Sequence, residues 1–304
     1  MRCSSFFAKG TTFSSAIGFI AIILVLSGCT NLSTLSEREA EIALVPITDH
    51  PSGKSLPGSF IWHDLVTPDL RSAGEFYAKL FDWQVEYQNH YAVVRNNGKR
   101  IAGILQIKPI ENDTPGVWVP SVSVSDVESA SQRVKANGGE IINGPVDMDK
   151  RGLAALIKDP LGSNIVLLSA KGGDPVETEI APGDWLWNEI WTNAPAETES
   201  FYVAILGYDE IPSIKEDYSV FTNEGKWLAG IRHMASDSDQ LLWMPVVRVT
   251  DPNVTAQLAE NLGGVVLITP DQAPNKGNTA LISDPTGALL LIQRWPSQSS
   301  DGGN

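Results

Sequence analysis

Residues Trp62 to Thr67 follow the period-two pattern of a half-buried strand. Directly after them, Leu70, Ala73, Phe76, Tyr77 and Leu80 recur at helical spacing, so a strand runs into a helix. Val117 to Val124 alternates in the same way and leads to Val127, Ala130 and Val134, again on one helical face. Thr67 or Asp69 can cap the first helix, and Ser125 or Asp126 the second, by accepting otherwise unpaired backbone N–H groups. Short strands split by turn residues follow each helix, as at Asn96-Asn97-Gly98 and Asp159-Pro160-Leu161-Gly162. The unit of strand, helix and several strands occurs four times, which predicts an α+β chain.

The four units fall into two copies of a pair. Gly58-Ser59-Phe60-Ile61-Trp62-His63-Asp64-Leu65-Val66-Thr67 returns as Gly183-Asp184-Trp185-Leu186-Trp187-Asn188-Glu189-Ile190-Trp191-Thr192, an offset of 125. Phe76-Tyr77, Trp118 with Pro120, Gly138-Gly139 and Asp159-Pro160-x-Gly162 all recur at that offset of 125. Ala102-Gly103 returns as Ala229-Gly230, at 127, so a small insertion lies between. Two homologous domains are expected, over 58–170 and 183–295, with a linker over 171–182 and a tail over 296–304.

The start of the chain reads as an address. Arg2 and Lys9 precede an apolar run from Ala16 to Leu26, too short to span a bilayer and of the length of an export signal. Leu26-Ser27-Gly28-Cys29 resembles a bacterial lipobox, which implies cleavage after residue 28 and acylation of Cys29. Thr30 stands where an inner-membrane retention signal carries Asp, so the resemblance implies the periplasmic face of an outer membrane. Residues 29–57 are then the lipidated N-terminus and a tether.

Charge and cysteine content narrow the chemistry. The 304 residues carry 22 Lys and Arg against 36 Asp and Glu, a formal charge of -14. Loss of Arg2 and Lys9 with the signal takes this from -14 to -16. Such a surface repels phosphate backbones, so nucleic acid is not an expected partner. Cys3 and Cys29 are the only two cysteines, which excludes a disulfide framework or a cysteine-based zinc site. Gly53-Lys54-Ser55 ends like a phosphate loop, but Thr48 stands at the first glycine position.

The fourfold βαβββ pattern, Trp-x-Asp/Glu-Leu/Ile-x-Thr, Phe-Tyr in the first helix, Leu80-Phe81-Asp82-Trp83, the Gly-Gly pair and the Asp-Pro-x-Gly turn resemble the vicinal oxygen chelate superfamily. That group includes glyoxalase I, bleomycin-resistance proteins and extradiol dioxygenases. The resemblance implies two tandem glyoxalase-like domains, each of two βαβββ units forming curved mixed sheets with helices outside. It also implies a divalent metal held by His and Glu on the first, fourth, fifth and eighth strands. Three of these positions in each domain, counted from the motifs, fall on Trp62, Val119 and Val166, and on Trp187, Met244 and Leu291. Those side chains are no ligands for Mg, Mn, Fe or Zn. Of the four histidines, His50 and His90 read as exposed, His63 as facing the helices, and His233, on a fourth strand, as able to reach a cavity.

Alternation places Trp62, Asp64, Val66, Val119, Ser121 and Ser123 in one cup. It places Trp187, Glu189, Trp191, Met244, Val246 and Arg248 in the other. Indoles beside a carboxylate suit a small molecule, so Trp62, Ser121, Ser123, Trp187, Trp191, His233 and Arg248 are candidate ligand-binding residues. Asp64 and Glu189 are candidate general bases, or else structural acids. The leading expectation is a lipid-anchored protein that binds a small metabolite, with no cofactor. The alternative is a metal-dependent lyase, isomerase or dioxygenase using Asp64, Gln106, Glu189 and His233. A third reading is a structural lipoprotein whose cups are filled by side chains.

Overall fold

A computed structural model describes residues 44–108, 114–209, 217–234, 242–275 and 277–295. The signal-like segment, Cys29 and the first part of the tether lie outside the described residues, as does the tail. No helix among the described residues is long and apolar enough to cross a membrane.

Domain 1 contains β1 (Phe60–Thr67), α1 (Leu70–Phe81), β2 (Gln84–Gln88), β3 (Tyr91–Asn96) and β4 (Lys99–Gln106). Its second unit is β5 (Val117–Ser123), α2 (Val127–Ala136), β6 (Glu140–Asp147), β7 (Gly152–Lys158) and β8 (Asn164–Ala170). Domain 2 repeats this as β9 (Trp185–Thr192), α3 (Pro195–Leu206), β10 (Tyr218–Asn223) and β11 (Lys226–His233), then β12 (Leu242–Val249), α4 (Pro252–Asn261), β13 (Val265–Ile268), β14 (Thr279–Ser283) and β15 (Leu289–Arg294). Each domain is one mixed sheet, ordered β2-β3-β4-β1-β5-β8-β7-β6 and β10-β11-β9-β12-β15-β14-β13. Within each unit the first strand pairs in parallel with the last, and the antiparallel pairs β1/β5 and β9/β12 weld two units into one sheet.

Local chemistry explains the boundaries. Asp69, Asp126 and Asp251 are the N-caps of α1, α2 and α4, each accepting from backbone N–H groups of the first turn. Helix α3 instead starts with Pro195 at its first turn, where no N–H is needed. Register shifts between Phe60 and Trp62, and between Trp185 and Trp187, bulge β1 and β9 alike. Phe60 and Trp185 thereby face the helices, whereas Trp62 and Trp187 face the other side.

The helices lie on the outer face of their own sheet, and there the other domain covers them. Helix α1 packs on α4, and α2 on α3. Each of the two main cores therefore mixes one unit of each domain: Leu70, Phe76 and Tyr77 with Val247, Ala256 and Ile282, and Val127, Val134 and Ile157 with Phe201, Tyr202 and Trp243. Polar contacts cross in matched pairs. Tyr208 Oη donates to Gly58 O at 2.7 Å, and Trp83 Nε1 to Gly183 O at 2.8 Å. Gly58 and Gly183 both have φ of +85°, and a Cβ on Gly58 would lie 2.6 Å from the Tyr208 ring, so only glycine fits there. Trp243 Nε1 donates to Tyr202 Oη at 2.7 Å, which donates across the interface to Asp159 Oδ2 at 2.9 Å. In the mirrored place Trp118 Nε1 donates to Tyr77 Oη at 2.9 Å, and Tyr77 faces Asp284. Burial, then the neighbouring carboxylate, pushes both tyrosines well above their ordinary range.

His63 and Asn188, equivalent positions of the two domains, meet on the pseudo-twofold axis with Nε2 to Oδ1 at 3.0 Å. The imidazole lies 4.2 Å from the Trp185 ring centroid. Burial pushes its pKa down to about 4, against 6.5 for a free imidazole.

The end of the segment read as a tether lies against domain 1. Leu44 and Ile47 are buried on its helix-free face, and Asp49 pairs with Arg95 and Arg100, each at 2.7 Å. Pro51 bridges to Pro175 of the linker.

Two outcomes are expected. Tyr202→Phe leaves Asp159 Oδ2 and Trp243 Nε1 without partners, which should cost about 2 kcal/mol in urea unfolding at pH 7. The second concerns His63. Below about pH 6.5 the unfolded chain takes up a proton that the folded chain accepts only near 4, so the stability this group contributes is whole above 6.5 and lost as pH falls. The stability gap between wild type and His63→Gln should shrink by about 3 kcal/mol from pH 7 to pH 4.

Candidate functional site

The helix-free face of each sheet carries the residues that alternation assigns to a cup. In domain 1 these are Trp62, Val66, Val119 and Val166 around Asp64, joined by Tyr91 and Val93 of β3. The face is closed by a residue that the sequence did not single out. Arg151, in the β6–β7 turn, donates from Nη1 to Asp64 Oδ2 at 2.7 Å and from Nη2 to Tyr91 Oη at 2.6 Å. Its guanidinium sits 5.0 Å from the Trp62 ring centroid. Only 3% of the Arg151 side chain is exposed. Burial opposes its charge, but Asp64 and Tyr91 outweigh that and hold the guanidinium protonated. Burial also pushes the Tyr91 hydroxyl well above its usual range. Asp64 is thus held in an ion pair, and its partner is Arg151.

Domain 2 builds a related site differently. Glu189 Oε1 accepts from Tyr218 Oη at 2.8 Å, and Oε2 from Trp191 Nε1 at 3.1 Å. Arg232 of β11 approaches Oε2 at 3.6 Å and lies 4.5 Å from the Tyr218 ring centroid. Burial, reinforced by the Glu189 charge, raises the Tyr218 hydroxyl far above its ordinary range. Tyr91 and Tyr218 are repeats of each other at an offset of 127, a signal that the sequence held. The repeated glycine at that offset has the same cause in both copies. A Cβ on Gly103 would lie 2.2 Å from Tyr91 Oη, and one on Gly230 2.1 Å from Tyr218 Oη.

The two faces differ in access. Trp62 and Val66 are buried, whereas their counterparts Trp187 and Trp191 are half-exposed, along with Leu186, Leu242 and Ile268 around them. Domain 1 is filled by its own side chains together with Leu44 and Ile47; domain 2 presents two indoles, a paired carboxylate and Arg232 at a more open face.

The remaining candidates fall elsewhere. Ser121 is buried beside Trp62 in the β1/β5 pairing. Ser123 Oγ donates to Asp174 Oδ2 at 2.6 Å and contacts Ser55, tying the linker to residues 44–57, the N-terminal strap that lies against domain 1. Arg248 donates to Ile180 O and, at 3.3 Å, to Trp295 O, so it joins linker and C-terminal residues instead of Glu189. His233 does not reach the cup: its Nε2 lies 3.3 Å from Ser219 Oγ, which itself donates to Glu199 of α3 on the helical side.

The metal implied by the fold family does not fit these residues. The inferred ligand positions do face the helix-free sides, and they carry Trp62, Val119 and Val166, and Trp187, Met244 and Leu291. Among the described residues no three His, Cys, Asp or Glu side chains are grouped to hold an ion. The alternative set is not brought together either. Asp64 is clasped by Arg151, Glu189 lies in the other domain, His233 faces α3, and Gln106 is exposed near Pro68 O.

Comparison with known proteins agrees with this architecture. Residues 59–167 match the family model described as Glyoxalase/Bleomycin resistance protein/Dioxygenase superfamily. The chain is 27% identical over 241 residues to "Putative glyoxylase CFP32" of Mycobacterium tuberculosis, covering 76% of this chain and 92% of that protein. It is 26% identical over 260 residues to "Anthracycline biosynthesis protein DnrV" of Streptomyces peucetius, covering 78% and 93%. Among solved structures, the Mn(II)-bound glyoxalase of Novosphingobium aromaticivorans superposes with a TM-score of 0.58 at 13% identity, covering 79% of this chain and 83% of that one. The 2,2',3-trihydroxybiphenyl 1,2-dioxygenase of Sphingomonas wittichii gives 0.56 at 12% identity, covering 79% and 91%. Residues 59–167 thus match the glyoxalase/bleomycin resistance protein/dioxygenase superfamily, and the repeat at an offset of 125 with two sheets of one topology makes the described chain a tandem pair of glyoxalase-like domains.

Proposed function

We propose that the protein is a lipid-anchored, metal-independent binder of a small aromatic metabolite, held through acylated Cys29 at the periplasmic face of an outer membrane. The anchor rests on the lipobox-like Leu26-Ser27-Gly28-Cys29 alone. The binding reading rests on the helix-free face of domain 2. There Trp187 and Trp191 offer half-exposed ring faces, and Arg232, held by long ion pairs to Glu189 at 3.6 Å and Asp217 at 3.8 Å, offers N–H groups that those contacts do not use up. A flat ring carrying an acidic or strongly polar group matches that pair of features. Against a general-base role for either carboxylate, Asp64 is ion-paired with Arg151, and both oxygens of Glu189 are engaged. Domain 1 serves as the structural partner, its equivalent face filled. Two relatives named for anthracycline biosynthesis support an aromatic ligand, since anthracyclines are flat aromatic compounds.

Salicylate tests this, with tryptophan fluorescence as readout. Saturable quenching is expected, unchanged by excess EDTA, and weakened about tenfold in Arg232→Ala, the loss of one charge-assisted contact. A stoichiometric Fe, Mn, Ni or Zn ion that co-purifies, is required for binding and is lost in Glu189→Ala would defeat the reading.

A further inference from the structure

A second concave site lies between the two sheets. It is a cleft of about 970 Å³, bounded by the N-terminal strap, the starts of β1 and β9, the β3–β4 and β10–β11 hairpins and the linker. That volume is at the upper end of the usual range for small-molecule sites. Of the inferred metal positions only Trp187 lines it, and the Glu189–Tyr218 pair does not.

Its polar lining is incomplete in a consistent way. Among the described residues, eleven buried side-chain polar atoms have no hydrogen-bond partner, and four belong to residues of this cleft: His63 Nδ1, Arg100 Nε, Trp187 Nε1 and Asn188 Nδ2. Each such atom costs about 1–3 kcal/mol when left unpaired, so their concentration around one cleft marks a place built for a partner. Asn188 Oδ1 can only accept, so His63 Nε2 carries the ring proton and Nδ1 presents a lone pair. Arg100, Trp187 and Asn188 present N–H donors. The cleft thus asks for several acceptor oxygens and one donor.

Its charges and walls narrow the class further. The three lining cations are each matched by a lining carboxylate: Arg100 with Asp49 at 2.7 Å, Lys99 with Asp184 at 3.6 Å, and Lys226 with Glu177. No net charge is left to recruit an ion. The walls are aromatic. Trp227 and Trp295, 49% and 40% exposed, flank Trp187 at centroid distances of 6.4 and 6.1 Å, while Trp185 stacks on His63 deeper in.

We propose that this interdomain cleft binds a neutral, flat aromatic molecule of the hydroxyquinone class, its carbonyl oxygens accepting from Asn188, Arg100 and Trp187 and its hydroxyl donating to His63 Nδ1. The site is separate from the helix-free face of domain 2. Trp187 borders both, so the test uses residues that border the cleft alone.

The purified full-length protein is titrated at pH 7 with 2,6-dihydroxyanthraquinone, whose hydroxyls lie too far from its own carbonyls to bond them, and binding is followed by tryptophan quenching. Saturable binding at one molecule per chain is expected. Trp227→Ala, an exposed position, should weaken it about fivefold without changing the melting temperature. Asn188→Leu should weaken it about tenfold, and unsubstituted 9,10-anthraquinone should bind wild type about tenfold more weakly, since each leaves a buried group unpaired. Excess salicylate should not displace the dye. Absence of saturable quenching, or wild-type affinity in both variants, overturns the cleft as a site. Equal affinity for the unsubstituted quinone overturns the role of the hydroxyl. Displacement by salicylate assigns the dye to the face of domain 2 and overturns the cleft, leaving the function proposed above intact.

Discussion

What holds this molecule together is a set of contacts that each domain makes to the backbone and acids of the other. Tyr208 to Gly58 and Trp83 to Gly183 are the same bond seen from the two ends of a pseudo-twofold axis. Tyr202 likewise donates to Asp159, and in the mirrored place Tyr77 faces Asp284 without closing the bond, so Asp284 Oδ2 is left unpaired. The aspartates sit in Asp-Pro-x-Gly turns and already accept backbone N–H groups with one oxygen, at Leu161 and Ser163 in one copy and Thr286 and Ala288 in the other. The outer oxygen therefore points at the tyrosine of the opposite domain. Burial raises both carboxylates above the usual range, and the local hydrogen bonds offset only part of that. Neither acid is comfortable without its turn, and in domain 1 the turn places an acid where the helix of domain 2 needs one. The helical layer is thus shared, and neither sheet has a covered outer face by itself.

This arrangement fixes which faces remain available. With the helices pressed between the sheets, the helix-free faces turn away from the interface, and each must be filled or used. Domain 1 fills its face with Arg151, Tyr91 and the strap residues Leu44 and Ile47. Removing one partner from so buried an ion pair would strand a charge at a cost of about 3–5 kcal/mol, so this arrangement is not readily opened for a ligand. Domain 2 holds its acid with a tyrosine and an indole and brings its cation from β11, 15% exposed at the side chain against 3% for Arg151. Duplication thus left one copy as framework and the other with an accessible aromatic face. The cost of building a buried carboxylate is met twice, by different cations from different strands.

Much of this was legible in the chain, and the rest fails for identifiable reasons. The strand, helix and repeat landmarks give the two domains, because apolar periodicity reports burial directly. The faces of Trp62, Asp64, Trp187, Glu189, Val119 and Met244 follow from alternation, because the bulges at Ile61 and Leu186 break it only ahead of Trp62 and Trp187. The repeated Ala-Gly at 102–103 and 229–230 was visible without its cause, which is a tyrosine hydroxyl arriving from the neighbouring strand. Arg151 was not legible: in Asp149-Lys150-Arg151 it looks like one more charge of a solvated turn, and only the pairing of β6 with β7 swings it over the sheet. His233 failed for a different reason. Strand β11 alternates regularly, with Ala229 and Ile231 in the core under the helices, so His233, two residues on, takes that same side and Arg232 takes the other.

The strap gives the arrangement its asymmetry. Residues 44–57 have no counterpart ahead of β9 that lies on a helix-free face; the equivalent stretch of chain is the linker, which runs between the domains. Asp49 clasps Arg95 and Arg100, and its hydrogen bond with Arg95, helped by both charges, holds the carboxyl below its usual range. That clasp positions Arg100, so the same ion pair that fastens the strap to domain 1 aims an unpaired Nε–H beside the interdomain cleft. Leu44 and Ile47 meanwhile close the helix-free face of domain 1. One short segment therefore seals one concavity and completes the wall of another. A chain with two equal hollows becomes one with a filled hollow, an open aromatic face and a cleft between them.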